Sequence, residues 1–257
     1  MLTPRKEELA DGVTLYLGDN LSILPAVHGE RAILTDPPYG QHQNTNVGFG
    51  EAMGAGVASG KRRVARGLHR TGVGVQWPDG IIGDDGPFDP HPWLEFSPRA
   101  LFWGAHRFAE RLPAGSWLVW DKVPTGKVRK QGDGEAAWMS GPSRPMRIYR
   151  LLWDGVCVGS AARDEVTAGQ QRVHPTQKPV VLMKWCIGQM QLPSKTIIID
   201  PYMGSGSTGV AAVHLGYPFV GAEIVPQYFD TARRRISEAL KQGDMFIDRA
   251  QAATGSK

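Results

Sequence analysis

The stretch Thr196-Ile-Ile-Ile-Asp200, followed by Pro201-Tyr202-Met203-Gly204-Ser205-Gly206-Ser207-Thr208, limits the fold more than any other part of this chain. A continuous run of β-branched apolar residues reads as a strand buried on both faces. It stops at a proline, turns through two glycines and enters a helical stretch from Gly206 to Leu215. A second apolar strand follows over Phe219–Ile224, carrying Glu223 near its end. Strand, glycine turn, helix and strand make one βαβ unit, whose crossover is right-handed.

The same alternation recurs along the chain. Strands are expected at Val13–Leu17, Arg31–Thr35, Arg99–Trp103, Ser116–Trp120 and Arg147–Trp153. Helices are expected at Asn20–Val27, Phe88–Ser97, Ala105–Arg111, Lys178–Gln191 and Gln227–Lys241, with a frayed tail over 242–257. Apolar strands alternating with helices imply an α/β fold: a Rossmann-like, mostly parallel sheet with helices on both faces. Two segments break the rhythm. Residues 41–90 are rich in glycine and are expected to form a mobile basic loop, and 122–172 an irregular insertion, both within a single domain over 1–257. Only Cys157 and Cys186 are present, without paired spacing. The seven histidines are scattered, so a zinc site is not expected, nor any other metal. No apolar run reaches membrane-span length and the first residues carry no secretory signal, so a cytoplasmic protein is expected.

Net charge is only +4, but its distribution is uneven. Lys61, Arg62, Arg63, Arg66 and Arg70 stand against Glu51 alone between Gln41 and Gln76. Between Lys122 and Arg172 nine basic residues, among them Lys122, Lys127, Arg129, Lys130 and Arg144, face five acidic ones. Two basic segments on a near-neutral scaffold point to a polyanionic partner; the competing reading is a pair of solvated loops.

At the end of the Arg31–Thr35 strand stands Asp36-Pro37-Pro38-Tyr39. In open α/β sheets that edge binds ligands. The four residues suit a flat heterocycle bearing an amino group. Tyr39 can stack on the ring, while the Asp36 carboxylate and the Pro37 carbonyl accept hydrogen bonds from an exocyclic NH2. Alone, they are also an ordinary turn.

The loop after Asp200 is neither a phosphate-binding P-loop, lacking Gly-Lys-Ser/Thr, nor a Gly-x-Gly-x-x-Gly dinucleotide turn. Its glycines allow close backbone approach, and the helix start offers N–H groups to an anion. Glu223 stands 23 residues after Asp200, where Rossmann-like sheets place the acidic residue that binds ribose hydroxyls. A nucleoside carrying a carboxylate fits, and S-adenosylmethionine is such a molecule. Asp19 and Asn20, ending the first strand, are placed to contact its adenine amino group. His174-Pro175-Thr176-Gln177-Lys178-Pro179 opens the helix before the Asp200 strand.

Together these residues resemble the amino-group DNA methyltransferases of permuted motif order, the beta class. There the catalytic motif comes first, then a target-recognition region, then the His-Pro-Thr-Gln-Lys-Pro segment, then the cofactor loop. The resemblance covers roughly residues 13–40, 99–121 and 172–241. It implies catalysis by Asp36, Pro37, Pro38 and Tyr39. It implies cofactor binding by Asp19, Asn20, Asp36, His174, Thr176, Lys178, Pro179, Asp200, Pro201, Met203, Gly204, Ser205, Gly206, Ser207, Thr208 and Glu223. Double-stranded DNA is the expected partner, and homodimers are common in the class. Asp-Pro-Pro-Tyr is commoner in adenine-N6 enzymes and Ser-Pro-Pro-Tyr in cytosine-N4 enzymes, so adenine is favoured. Neither cysteine follows a proline, which argues against cytosine-C5 chemistry. A non-catalytic nucleic-acid-binding relative is the alternative from another class. Trp138 and Arg144 are candidates to reach DNA, with local core the other reading for Trp138.

Overall fold

The computed structural model describes residues 5–24, 27–40, 82–124, 132–152 and 177–254, with side chains described as far as 242. The chain forms two compact units, one of residues 1–37 and 88–257, the other Pro38–Pro87.

Among the described residues, the first unit holds nine strands: β1 (Arg5–Ala10), β2 (Val13–Leu17), β3 (Arg31–Thr35), β4 (Ala100–Trp103), β5 (Ser116–Asp121), β6 (Gly134–Met139), β7 (Arg147–Arg150), β8 (Ile197–Asp200) and β9 (Phe219–Glu223). They form one sheet in the order β1-β2-β9-β8-β3-β4-β6-β5-β7. From β2 to β4 every neighbour is parallel, and β7 pairs parallel with β5. Only β1 and β6 run against their neighbours. This is the Rossmann-like sheet expected from the alternation of strands and helices.

Helices α3 (Val180–Met190), α4 (Ser207–His214) and α5 (Pro226–Thr254) share a core with one set of alternating strand residues. Leu15, Leu34, Leu101 and Trp103 meet Leu182, Val210 and Phe229 there. The alternate residues serve the other face, where Phe102 and Trp138 stack at 5.9 Å and Phe88 and Phe108 pack edge-on. Period-two alternation therefore builds both layers from the same strands. The short helices α1 (Asn20–Ile23) and α2 (His91–Phe96) complete the described set.

Several expectations change. Gly134–Met139, inside a stretch read as irregular, is the strand β6. Its Gly, Glu and Ala residues have little β-propensity, and pairing with β4 on one side and β5 on the other makes it a strand. Gly134 is itself required, because a Cβ there would stand 2.7 Å from the Trp120 carbonyl oxygen. The highly charged β1 was not foreseen; it is an edge strand, where such residues belong. The helix expected over 105–111 is two 3₁₀ turns, Ala105–Arg107 and Ala109–Arg111, interrupted at the buried Phe108. The last helix runs to Thr254 instead of ending at Lys241. Trp138 is core: it is 1% exposed and its Nε1 donates to the Pro113 carbonyl at 3.1 Å.

In the second unit, Gly40 adopts φ +77°, and a Cβ there would lie 2.9 Å from the Gly86 carbonyl oxygen. Its two ends therefore meet at a position only glycine fits. The basic loop residues Lys61, Arg62, Arg63, Arg66 and Arg70 lie outside the described residues.

Candidate active site

Parallel pairing brings the carboxyl ends of β3, β8 and β9 to one edge of the sheet. Asp36 follows β3, Asp200 ends β8 and Glu223 ends β9. Because β6 runs the other way, its amino end reaches the same edge and presents Glu135.

A cleft of about 380 Å³, open to solvent, lies at this edge. It is lined by Asp36, Gln177, Lys178, Met183, Asp200 and Tyr202, together with Met203, Gly204, Ser205, Ser207 and Thr208 of the loop. The Asp36 element, the Lys178 segment and the glycine loop, far apart in sequence, thus share one wall. Asp19, Asn20, Pro179 and Glu223 are not among the lining residues.

The loop is fixed by three buried polar groups. Asp200 Oδ1 accepts from Thr35 Oγ1 at 2.7 Å and from the Tyr202 N–H at 3.2 Å, so β3 and β8 are tied at their ends. Burial raises the Asp200 carboxyl to about 6, against the hydrogen bonds from Thr208 and Thr35. Glu223 accepts from the Gly204 N–H through Oε2 and the Val225 N–H through Oε1, both at 2.8 Å. Burial pushes its carboxyl up, and those backbone donors oppose the rise. The Ile224 N–H bears on the same carboxylate, which keeps acceptor capacity for a hydroxyl. Arg235 of α5 reaches Ser205 from below. Sequence reading missed Arg235. The signal was present, since the residue interrupts the apolar face formed by Phe229, Ala232, Ile236 and Ala239.

Gly206, at φ +80°, starts α4 with no side-chain cap. A Cβ there would stand 2.9 Å from Ala232 Cβ. The uncapped helix start leaves N–H groups suited to a carboxylate. Asp19 caps α1, accepting from the Leu21 N–H at 3.3 Å, and Asn20 Nδ2 donates to the Pro201 carbonyl at 2.8 Å. Asn20 therefore holds the loop's first proline. Pro179 is the residue immediately before α3.

Asp36 is the most constrained group. Its Oδ2 lies 2.5 Å from Lys178 Nζ. Its Oδ1 is buried and has no hydrogen-bond partner among the described residues. Burial pushes its carboxyl up, and the Lys178 ammonium opposes the rise. Lys178 also lies 3.1 Å from Glu135 Oε2, and Glu135 Oε1 pairs with Lys122. Lys122 thus sits in a largely buried ion-pair array over the Trp120 ring and not, as expected, on a DNA-facing surface. Arg144 is at the other edge of the sheet. Its backbone N–H donates to Ser116 Oγ at the start of β5, and its guanidinium to Gln191 Oε1 at 3.1 Å. His174, Thr176, Lys127, Arg129 and Lys130 lie outside the described residues, and Pro38 and Tyr39 belong to the second unit.

Residues 119–234 match the N6/N4 DNA methylase family. The chain is 39% identical over 241 residues to YubD of Escherichia coli (strain K12), a protein bearing a methylase name, covering 88% of this chain and 92% of that one. It is 36% identical over 92 residues to the type II methyltransferase M2.LlaDCHI of Lactococcus lactis subsp. cremoris, covering 36% of this chain and 32% of that one. Among solved structures it is similar to M1.HpyAVI in complex with SAM, at TM-score 0.45 and 19% identity over 86% of this chain and 98% of that one. It is also similar to TTHA0409 of Thermus thermophilus complexed with S-adenosyl-L-methionine, at TM-score 0.44 and 16% identity over 88% and 95%. The chain belongs to the N6/N4 DNA methylase family. That family methylates exocyclic amino groups in DNA, with S-adenosylmethionine as methyl donor. No helix among the described residues is long and apolar enough to cross a membrane.

Proposed function

We propose that this protein methylates the N6 amino group of adenine at specific sites in double-stranded DNA. The observation that supports amino methylation is Asp36: one carboxylate oxygen is held by Lys178, and the other is buried on the wall of the cleft with no hydrogen-bond partner among the described residues. The choice of adenine rests on the Asp-Pro-Pro-Tyr form of the motif. A buried acceptor left open costs about 1–3 kcal/mol unless something binds it. An exocyclic NH2 is the donor expected there.

The target base leaves the duplex at a cost of a few kcal/mol. Tyr39, three residues after Asp36, recovers part of this by stacking, about 1–3 kcal/mol. The amino nitrogen is a weak nucleophile because its lone pair is delocalised into the ring. Hydrogen bonds to Asp36 Oδ1 and the Pro37 carbonyl favour a pyramidal nitrogen with its lone pair available. Bound S-adenosylmethionine supplies an electrophilic sulfonium methyl. The start of α4 would receive the carboxylate of the donor, and Glu223 would accept from a ribose hydroxyl. Gly204 and Ser205 bring backbone against the donor. Asp36 then accepts the proton that the methylated nitrogen sheds. Lys61, Arg62, Arg63, Arg66 and Arg70 serve the phosphates, giving affinity and register, with no part in sequence choice.

The test is nucleoside mass spectrometry on unmethylated mixed-sequence DNA incubated with the protein and S-adenosylmethionine. N6-methyladenine is expected. N4-methylcytosine would keep the mechanism and move the target. Neither product, with cofactor binding intact, would overturn the reading in favour of a binding role.

A further inference from the structure

Four ionisable side chains from separate parts of the chain form one line of contacts at the functional edge. Asp36 meets Lys178, Lys178 meets Glu135, and Glu135 meets Lys122. Their side chains are only 18, 7, 20 and 19% exposed, in that order. Two carboxylates and two ammonium groups cancel, which burial demands.

Neutralising Asp36 takes Lys178 alone. A lysine, however, is a compact charge on a flexible stem, and a single carboxylate does not fix where its ammonium rests. It could move onto either oxygen of Asp36. Glu135 removes that freedom. It stands on β6 opposite Trp120 of β5, and its Oε2 makes an ion pair with Lys178 Nζ at 3.1 Å, without hydrogen-bond geometry. Lys122 holds the second oxygen of Glu135 and rests 4.7 Å over the Trp120 ring. The Trp103 ring lies 5.9 Å from Lys178 Nζ on the core side.

We infer that Glu135, backed by Lys122, is a positioning residue for methyl transfer: it keeps Lys178 on Asp36 Oδ2 and so leaves Oδ1 open to the amino group of the target base. This inference rests on the reading of Asp36 as the group that binds that amino nitrogen. Removing Glu135 lets Lys178 cap Oδ1 and close the acceptor.

The titratable groups facing the array are Asp200, which acts on Asp36, His106, which feels Glu135, and the Cys186 thiol of α3, which feels Lys178. Burial raises Glu135, but Lys178 and Lys122 more than offset it and hold the carboxyl at about 2, so it stays ionised at any working pH. Its negative charge raises Asp36, whereas Lys122 lowers it.

The experiment uses the full chain with S-adenosylmethionine and methylatable DNA, and compares Glu135→Gln, Glu135→Asp, Lys122→Met and Asp36→Ala. Glu135→Gln is expected to lower kcat by about 10–100-fold, with the S-adenosylmethionine Kd within about threefold. Glu135→Asp restores part of kcat. The acid limb of the kcat–pH profile moves to lower pH in Glu135→Gln and to higher pH in Lys122→Met. A merely structural role would lower Tm and cofactor affinity without these opposite movements. If Glu135→Gln does not fold, Glu135→Asp decides: a lowered kcat with the S-adenosylmethionine Kd unchanged supports the inference, and wild-type kcat overturns it. Wild-type kcat and an unmoved acid limb in the folded variants would overturn the inference, even with Asp36→Ala inactive. An active Asp36→Ala enzyme would instead sink the underlying reading of Asp36.

Discussion

Arg235 donates from Nη1 to the Ser205 carbonyl at 2.5 Å and to Ser205 Oγ at 2.9 Å, with only 2% of its surface exposed. Helix α5 thereby grips the Gly204–Thr208 loop from the core side. Burial lowers its guanidinium to about 10, which still leaves it charged at neutral pH.

Arg235→Met separates gripping from packing. Its neighbours on that face, Phe229, Ala232 and Ile236, are apolar, so an apolar side chain of similar length packs well, and buried charges so replaced are often neutral for stability. Urea unfolding should change by less than about 2 kcal/mol. The loop loses its anchor, and calorimetry should show S-adenosylmethionine binding about tenfold weaker. A large stability loss with unchanged cofactor affinity would contradict this division.

Asp200 gives a pH signature. Its folded-state value of about 6 lies above the ordinary 3.8. A carboxyl raised in the native state contributes stability that is fully present below about pH 4 and is lost as pH rises through 6. The loss is on the order of 2–3 kcal/mol. In Asp200→Asn this component should vanish, so chemical unfolding of the cofactor-free protein between pH 4 and 7 should lose that downward slope. An identical slope in both proteins would assign it elsewhere.

Asp36→Ala should lower methyl transfer by about 10²–10⁴-fold or more while S-adenosylmethionine still binds. At the neighbouring aromatic, Tyr39→Ala should cost about 1–3 kcal/mol in kcat/KM and Tyr39→Phe much less. Radiolabelled methyl transfer to DNA measures both. Equal losses in the two tyrosine variants would assign the effect to the hydroxyl and not to stacking.

Gly206→Ala meets two penalties together. The left-handed backbone resists a side chain, and the new Cβ presses on Ala232 at 2.9 Å. Thermal unfolding should report a loss of about 1–3 kcal/mol. Gly216→Ala, also at positive φ but with open space around it, should cost less.

Much of this was legible before any coordinates. The β8–α4–β9 unit announces itself because a buried parallel strand must be apolar throughout, and Ile197, Ile198 and Ile199 are. Asp36 and the Gly204–Thr208 loop were legible as partners because strand ends in such sheets share an edge. The Asp36–Lys178 pairing was not, since nothing in local sequence states which side of a cleft a lysine takes. Glu135 was hidden by its surroundings: Gly134-Glu-Ala-Ala carries no strand signal, and only pairing between β4 and β5 makes it a strand. Lys122 was misread for the same reason, because counting charges along a segment does not tell a solvated lysine from one already matched inside. Glu223 was located correctly as a strand-end carboxylate, yet its backbone hydrogen bonds to Gly204 and Val225 depend on a turn that only the fold defines.

The bond between Thr35 and Asp200 spans 165 residues of sequence. During synthesis β3 emerges long before its neighbour β8. At about 5–20 residues per second the ribosome takes on the order of 10–30 s to deliver it. Through that interval the open edge of β3 is without its native partner, and Asp36 stands beside a wall not yet made. The nascent chain thus passes through a stage that invites chaperone binding, and catalytic competence arrives only once β8 and β9 have been made.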